Sequence, residues 1–352
     1  MTAACEPCVR RAALLERLAP NIEQIAADAA RSRSHELLEL SDRDLTKAVG
    51  GDASRLRLPS AAESTCRHRD GYPAALGDLE AGAPYALWTR GDAGLLERLA
   101  AEPSVTIVGS RRASQYGREV AHELGLLLAG AGIVVVSGLA FGIDAAAHRG
   151  ALDAGGATIA VLGSGIDVAY PAGNRGLYQR IAENGLIISE MPPGFTPFRW
   201  SFPARNRIMA ALGTLTVVVE AAERSGSLIT VRLAQSIGRD VGAVPGPINS
   251  RFSRGSNLLL ADGAFCVLGA QSIVDELLGP GTLNTERRPS ELEPDLAAIL
   301  EQVEAGIASP DAIVRSTGLA AGTVAAGLAR LELLGRLRAD VTGRYLAKTS
   351  GT

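Results

Sequence analysis

The sequence predicts an α/β protein: an extended Rossmann-like, doubly wound parallel sheet, with a small N-terminal helical domain before it and a C-terminal winged-helix domain after it. Three observations predict the sheet. Short β-branched runs alternate with amphipathic segments from about residue 66 to 279. Runs such as VTIV, IVVV and LTVVV are apolar on both faces, as strands covered by helices on each side must be. The first run also breaks at Gly109-Ser110-Arg111 straight into a helical pattern.

Residues 1–65 are rich in alanine and leucine at helical spacing, and LLELSDRDLTKAVGG has a serine start and a glycine stop. A helical domain of SAM/HhH-like type is expected there. Over 66–279 the series runs VTIVG, SQYGREVAHELGLLLAGAG, IVVVSG, GIDAAAHRGALDAG, ATIAVLG, NRGLYQRIAENG, LIISE, ARNRIMAALG, LTVVVEA and SLITVRLAQSIG, closing with DVGAVPG, SNLLLADGA, FCVLG and SIVDELLG. Residues 280–294, PGTLNTERRPSELEP, combine proline, glycine and charge without periodicity and read as a linker. Residues 295–352 give three helical segments and two short strands around Thr342-Gly343, with Gly318 at the turn of a helix-turn-helix.

Composition narrows the function. The net charge is −3, and residues 104–279 hold 14 arginines against 13 acids, so anion binding must come from local clustering. Residues 285–352 hold eight basic and nine acidic residues, and the presumed recognition helix AGTVAAGLARLELLG has one arginine. A winged helix that grips duplex DNA presents several phosphate-binding cations; this one reads as a protein-contact module. No apolar run is long enough to cross a bilayer, and the N-terminus lacks the order of a signal peptide, so a cytoplasmic location with no membrane association is expected. Cys5-x-x-Cys8 and Cys66-x-His68 each have the local spacing of zinc ligands. The pairs lie far apart in sequence and the first is terminal, so neither a metal nor a cofactor is expected. Cys266, in FCVLG, is expected to be a buried thiol.

The Gly-Ser-Arg break is the place to look for an anion. A dinucleotide needs G-x-G-x-x-G and an acid at the end of the second strand, but the turn reads GSRRAS and that strand ends Val136-Ser137. A P-loop needs a lysine, and no G-x-x-x-x-G-K occurs. Backbone N–H groups at a helix start, Ser110 and Arg111 remain: either a phosphate cradle or simply a capped helix with a solvated arginine. A second constellation is MPPGFTPFRWSFPARNRI, residues 191–208. It holds Phe195, Phe198, Trp200 and Phe202, four of the chain's 14 aromatics, beside Arg199, Arg205 and Arg207. Rings interleaved with guanidinium groups suit single-stranded nucleic acid, bases on rings and phosphates on arginines, although one or two rings can serve as core anchors. Arg205-Asn206-Arg207 after a proline reads as the opening of a helix. Asn174 and Arg175 lie on the Tyr170-Pro171 turn, which reads equally as a ligand-reaching segment or as a turn alone, and Ser225-Gly226-Ser227 joins a strand to a helix as a third candidate anion nest. His122 and His148 read as structural, and Asp144 as a first-turn carboxylate rather than a base.

VGSRRASQYG, SGLAFGIDAAAH, VLGSGIDVAYPAGN, LIISEMPPG, FPARNRIMAAL, VVVEAAERSGSLIT and GRDVGAVPGP resemble, in this order, the motifs of the DNA-processing protein DprA (Smf) family. The resemblance covers 66–279 strongly, and the flanking domains match a common arrangement in that family. It implies a protein without enzymatic activity that binds and protects single-stranded DNA, forms a homodimer through the Rossmann domain and helps load the RecA recombinase in natural transformation or homologous recombination. It places the family's phosphate-binding arginine on Arg111, a second cation on Arg199 and the base-stacking aromatic on Phe202. Gly109 and Ser110, Ser137 and Gly138 at the end of the second strand, Asn174, Arg205 and Asn206 complete the expected DNA-binding set. Two other readings are weaker. The lysine-decarboxylase-like nucleoside-phosphate hydrolases share a related fold but resemble a P-G-G-x-G-T-x-x-E pattern, whose context Ala211-Leu212-Gly213-Thr214 lacks. A transcription factor would need a more basic recognition helix.

Overall fold

The structure is a computed structural model that describes residues 3–28, 38, 40–50, 56–283, 285, 294–333, 336–340 and 344–347. It has two compact units, Met1–Thr285 and Glu286–Thr352. The boundary falls inside the segment read as a linker.

The first unit opens with helix α1 (Glu6–Asp28) and helix α2 (Asp42–Val49). The expected serine start and glycine stop of α2 are present: the Ser41 hydroxyl accepts from the Asp44 N–H, and Gly50 takes φ 72°. Strands β1 (Ser64–Cys66) and β2 (Ala86–Gly91) follow, then α3 (Gly94–Arg98). The doubly wound core runs β3 (Ser104–Val108), α4 (Gln115–Gly130), β4 (Val134–Ser137), α5 (Ile143–Asp153), β5 (Thr158–Leu162), α6 (Arg175–Asn184) and β6 (Leu186–Ser189). It continues through α7 (Ser201–Leu212), β7 (Leu215–Val218), α8 (Ser227–Ser236), β8 (Asp240–Ala243), α9 (Arg254–Ala261), β9 (Phe265–Cys266) and α10 (Ala270–Leu278).

Among the described residues the sheet has nine strands in the order β1-β2-β6-β5-β4-β3-β7-β8-β9. Strands β3 to β9 pair in parallel, while β2 pairs antiparallel with both β6 and β1. The alternation of side chains explains the two-sided apolar strands. Val134 and Val136 pack with α7 residues Ile208 to Leu212 and with Val231 of α8, whereas Val135 packs on the other face with Leu124 and Leu128 of α4 and Ala147 of α5. The antiparallel edge has no such signal: β1 is only three residues long, and β2 ends in the exposed pair Arg90-Gly91. Cys266 corrects an expectation. It is exposed, because β9 is a two-residue edge strand with a neighbour on one side only.

His148 has the structural role expected. Thr158 Oγ1 donates its proton to the Val135 carbonyl, so the 2.7 Å contact with His148 Nδ1 makes Nδ1–H the donor. Nε2 is buried without a partner, and burial, followed by Arg205 and Arg149, pushes the imidazole down to about 3.

The second unit holds α11 (Pro294–Glu304), α12 (Pro310–Thr317), α13 (Ala321–Leu333) and the antiparallel strands β10 (Leu337–Ala339) and β11 (Tyr345–Ala347). Ile299, Ile313, Val324 and Leu331 form its core, and Gly318 closes α12 in the left-handed region at φ 71°. Thr342-Gly343, between the two strands, lies outside the described residues. No single helix among the described residues is long and apolar enough to cross a membrane.

Helices α4 and α5 cross backbone to backbone at two glycines. A methyl at Gly125 would overlap the Ala147 carbonyl oxygen, and one at Gly150 the His122 carbonyl oxygen. We therefore expect Gly150→Ala to lose about 1–3 kcal/mol by overpacking. Gly176→Ala on α6, where an added Cβ meets nothing within 4 Å, should gain about 0.4–1 kcal/mol through unfolded-state entropy. Thermal melts check this, and a Gly150→Ala protein as stable as Gly176→Ala would contradict the packing.

Candidate nucleic-acid interface

The sheet changes direction of growth at β3, which is flanked by β4 on one side and β7 on the other. The loops beyond the carboxyl ends of such strands diverge and leave a crevice. Here they are 109–114 after β3, 138–142 after β4 and 219–226 after β7.

The side chain that ties these loops together is Glu220, immediately behind β7 and 2% exposed. Its carboxylate accepts from the Ser114 N–H at 2.9 Å and the Ser114 hydroxyl at 2.6 Å. Ser114 Oγ accepts in turn from the Gly117 N–H at 3.0 Å, capping α4. The Glu220 carbonyl takes the Ser110 N–H at 2.7 Å. Gly109 and Gly117 are small because a methyl at the first would overlap Ile143, and one at the second would overlap the Glu220 carboxylate.

Two of the N–H groups expected to cradle a phosphate, those of Ser110 and Ser114, are thus bonded to Glu220. The anion at the start of α4 is the protein's own Glu220, which offsets the positive end of the helix. The Ser110 hydroxyl is likewise engaged, accepting from the Arg112 N–H at 3.1 Å.

The crevice encloses about 480 Å³, lined by Gly109 to Arg112, Ala140 and Asp144, Phe202, Pro203, Arg205 and Asn206, and the 225–230 turn at the start of α8. Arg111 and Arg112 are exposed at its wall. The Arg111 guanidinium lies 5.2 Å from the centre of the half-buried Phe202 ring, and Tyr170 stands 5.1 Å from the same ring at 34°. Arg199 is exposed just before α7 but does not line the crevice.

Several expected ligand groups face inward. Arg205 donates to the carbonyls of Gly138, at 2.7 Å, and Val161. Its guanidinium lies against the Gly138 Cα, where a methyl would overlap it. Burial pulls Arg205 down to about 10, which leaves it a cation at neutral pH. Ser137 donates its hydroxyl to the Ile107 carbonyl at 2.6 Å, and Asn174 donates its amide to the Leu139 carbonyl at 2.9 Å. Arg207 is buried, paired with Glu190 at 2.6 Å and donating to the Gly82 and Ala204 carbonyls. All four have polar atoms committed to acceptors inside the protein, as buried donors must.

Helix α7 also begins earlier than expected. It starts at Ser201, so Pro203 lies within its first turn, where a missing N–H costs nothing, and Arg205 falls beyond that turn. Phe195 and Trp200 are core anchors, packed with Leu14, Leu15 and Ala19 of α1, and the Trp200 indole donates to the Ala19 carbonyl at 3.1 Å. Burial raises the pKa of Asp144, opposed by Arg205, the Ala140 N–H, Arg111 and the Gly138 N–H.

Sequence reasoning missed Arg112, Tyr170 and Glu220. Arg112 adjoins Arg111 in the same motif and was legible. Tyr170 meets Phe202 only through the fold, and Glu220 lies 106 positions from Ser114. The fold also brings the two sequence-distant pairs, Cys5 with Cys8 and Cys66 with His68, together, with one ligand atom of each within 4.8 Å of the others.

If Glu220 supplies the anion of the α4 N-terminus, Glu220→Ala should cost about 2–4 kcal/mol, the loss of charge-assisted bonds in a buried site. Added formate should raise the melting temperature of that variant more than that of the unsubstituted protein. Equal responses would contradict the assignment.

Comparison with known proteins agrees with this architecture. Residues 63–278 match the family model of DNA recombination-mediator protein A, and residues 284–340 match the DprA winged helix domain. The chain is 44% identical to the putative DNA processing protein DprA of Mycobacterium tuberculosis over 259 residues, 72% of this chain and 66% of that protein. The DNA processing protein DprA of Streptococcus pneumoniae is 44% identical over 207 residues, 59% of this chain and 71% of that protein. The crystal structure of the S. pneumoniae protein aligns with a TM-score of 0.58 at 33% identity, covering 76% of this chain and 95% of that one. A structure of DNA processing protein A from Helicobacter pylori, described for its single-stranded DNA binding mode, aligns with a TM-score of 0.53 at 35% identity, covering 58% and 92%.

Proposed function

The chain belongs to the DNA recombination-mediator protein A (DprA) family, and on that premise we propose that it binds single-stranded DNA across the switch-point crevice and catalyses no covalent step. The observation that carries this reading is the pairing of exposed cations with adjoining rings: Arg111 and Arg112 exposed at the wall, and Arg111 over a Phe202 ring that already contacts Tyr170. A phosphate draws Arg111 outward, and an unpaired base takes its place on the exposed side of the ring platform. A duplex has no free base faces to offer. Arg199, exposed before α7, extends the phosphate track, and Asn206 lines the crevice beside Arg205. Gly109, Ser110, Ser137, Gly138, Asn174 and Arg205 set the wall rather than touch the strand.

The finer part of the proposal, supported by the family description as a recombination mediator, is that the bound strand is protected and handed to the RecA recombinase, in natural transformation or recombination within the cytoplasm. A homodimer through the Rossmann domain is supported by the sheet edge at β9, where Leu268 is 68% exposed and Leu258 of the neighbouring α9 46%. The winged helix, net acidic over its segment, serves protein contacts.

Arg111→Ala and Arg199→Ala should each weaken binding to every sequence and flatten the salt dependence, each lost phosphate contact reducing the slope of log K against log salt by about 0.7. Phe202→Ala should cost about 1–3 kcal/mol of binding with that slope unchanged. Titrations at several salt concentrations, run beside thermal melts, decide the matter. A Phe202→Ala protein that melts early yet binds normally when folded would contradict stacking, and equal affinity for a duplex of the same length would contradict the function.

A further inference from the structure

The cluster at the opposite end of the sheet from β9 belongs to no part of the crevice. Cys5 and Cys8 lie at the start of α1, Cys66 ends β1 and His68 follows two residues later. Cys5 Sγ lies 3.6 Å from Cys66 Sγ and 3.4 Å from His68 Nδ1, and Cys8 Sγ lies 3.4 Å from the same nitrogen. In a tetrahedral zinc site with bonds of about 2.3 Å to sulfur and 2.0–2.1 Å to nitrogen, ligand atoms are separated by about 3.8 Å for two sulfurs and about 3.5 Å for sulfur and nitrogen. The observed spacings match. Three thiols and one imidazole, with one atom of each within 4.8 Å of the others, make a closed set of soft ligands suited to zinc and unsuited to magnesium or calcium.

The surroundings support a metal rather than a chance contact. The Cys5 N–H points at Cys66 Sγ at 3.4 Å, and the Ala4 N–H is held by the Ser64 hydroxyl at 3.2 Å. Both fix Ala4 and Cys5 against β1, and a backbone donor aimed at sulfur, as the Cys5 N–H is, orients a metal-bound thiolate. A disulfide would use two of the sulfurs and leave the third thiol and the imidazole converging on nothing.

We propose that Cys5, Cys8, Cys66 and His68 bind one structural zinc ion that clamps α1 to the antiparallel edge of the sheet. The clamp reaches the interface through α1. From its metal-binding end the helix runs past Trp88 of β2, and further along Leu14, Leu15, Leu18 and Ala19 form the bed for Met191, Phe195 and Trp200, the segment that leads into Phe202. Zinc therefore holds the helix on which the segment bearing Arg199 rests.

The test is metal analysis of the full-length protein, purified without chelator or affinity metal. The expected result is one zinc per chain, replaceable by cobalt with the visible spectrum of a tetrahedral thiolate site. Cys5→Ser and Cys66→Ser should lose the metal and lower the melting temperature. His68→Cys should keep the metal where His68→Ala does not, and Cys266→Ser, at the far edge strand, should leave it unchanged. Because Cys8 and Cys66 are almost fully buried and their variants risk misfolding, the half-buried Cys5 and the exposed His68 carry the decision. An unsubstituted protein with no bound zinc, or with a mass that reveals a disulfide among these cysteines, would overturn the proposal.

Discussion

The geometry of the crevice depends on one buried carboxylate. Glu220 leaves the end of β7, accepts two hydrogen bonds from Ser114 and gives its backbone carbonyl to Ser110. It thus joins the neighbouring strands β3 and β7 at the point where their loops part. A carboxylate in that place is stabilised by the N-terminus of α4 and by two donors, which together offset the cost of its desolvation. Without it, the capping serine, the turn at Gly109 to Arg112 and the wall of the crevice would have no common anchor.

The consequence is a division of labour between backbone and side chain. In many Rossmann-like proteins the first helix start holds the ligand's phosphate; here that place is filled from within, so in the proposed function recognition of a strand falls to the exposed arginines and the rings of the crevice. Arg205 takes part from behind, bridging the ends of β4 and β5 through the Gly138 and Val161 carbonyls. Exposed guanidinium groups of this kind would suit a long, irregular polyanion better than a fixed nest, because each contact can adapt to its nucleotide.

Much of the fold was legible in the sequence. Strands apolar on both faces, the serine and glycine around α2 and the glycine after α12 are local signals that the structure repeats. The antiparallel strands β1 and β2 were not legible, since three residues carry no periodicity and an edge strand needs no apolar run. At the site, Arg111 and Phe202 were legible as types in a pattern, but the sequence does not say which arginines face outward. Arg199 is exposed while Arg205 and Arg207 are buried, and only the start of α7 at Ser201 and the acceptors at Gly138, Val161 and Glu190 decide it. The partners Glu220 and Tyr170, and the meeting of Cys5 and Cys8 with Cys66 and His68, come from long-range contacts that local spacing cannot show.

The most direct measurement is a crystal structure of the protein with a short oligothymidylate. The account predicts phosphates on the guanidinium groups of Arg111 and Arg199 and a thymine against Phe202, with the Glu220 carboxylate still bonded to Ser114. A phosphate seated at the start of α4, with Glu220 displaced from Ser114, would contradict it.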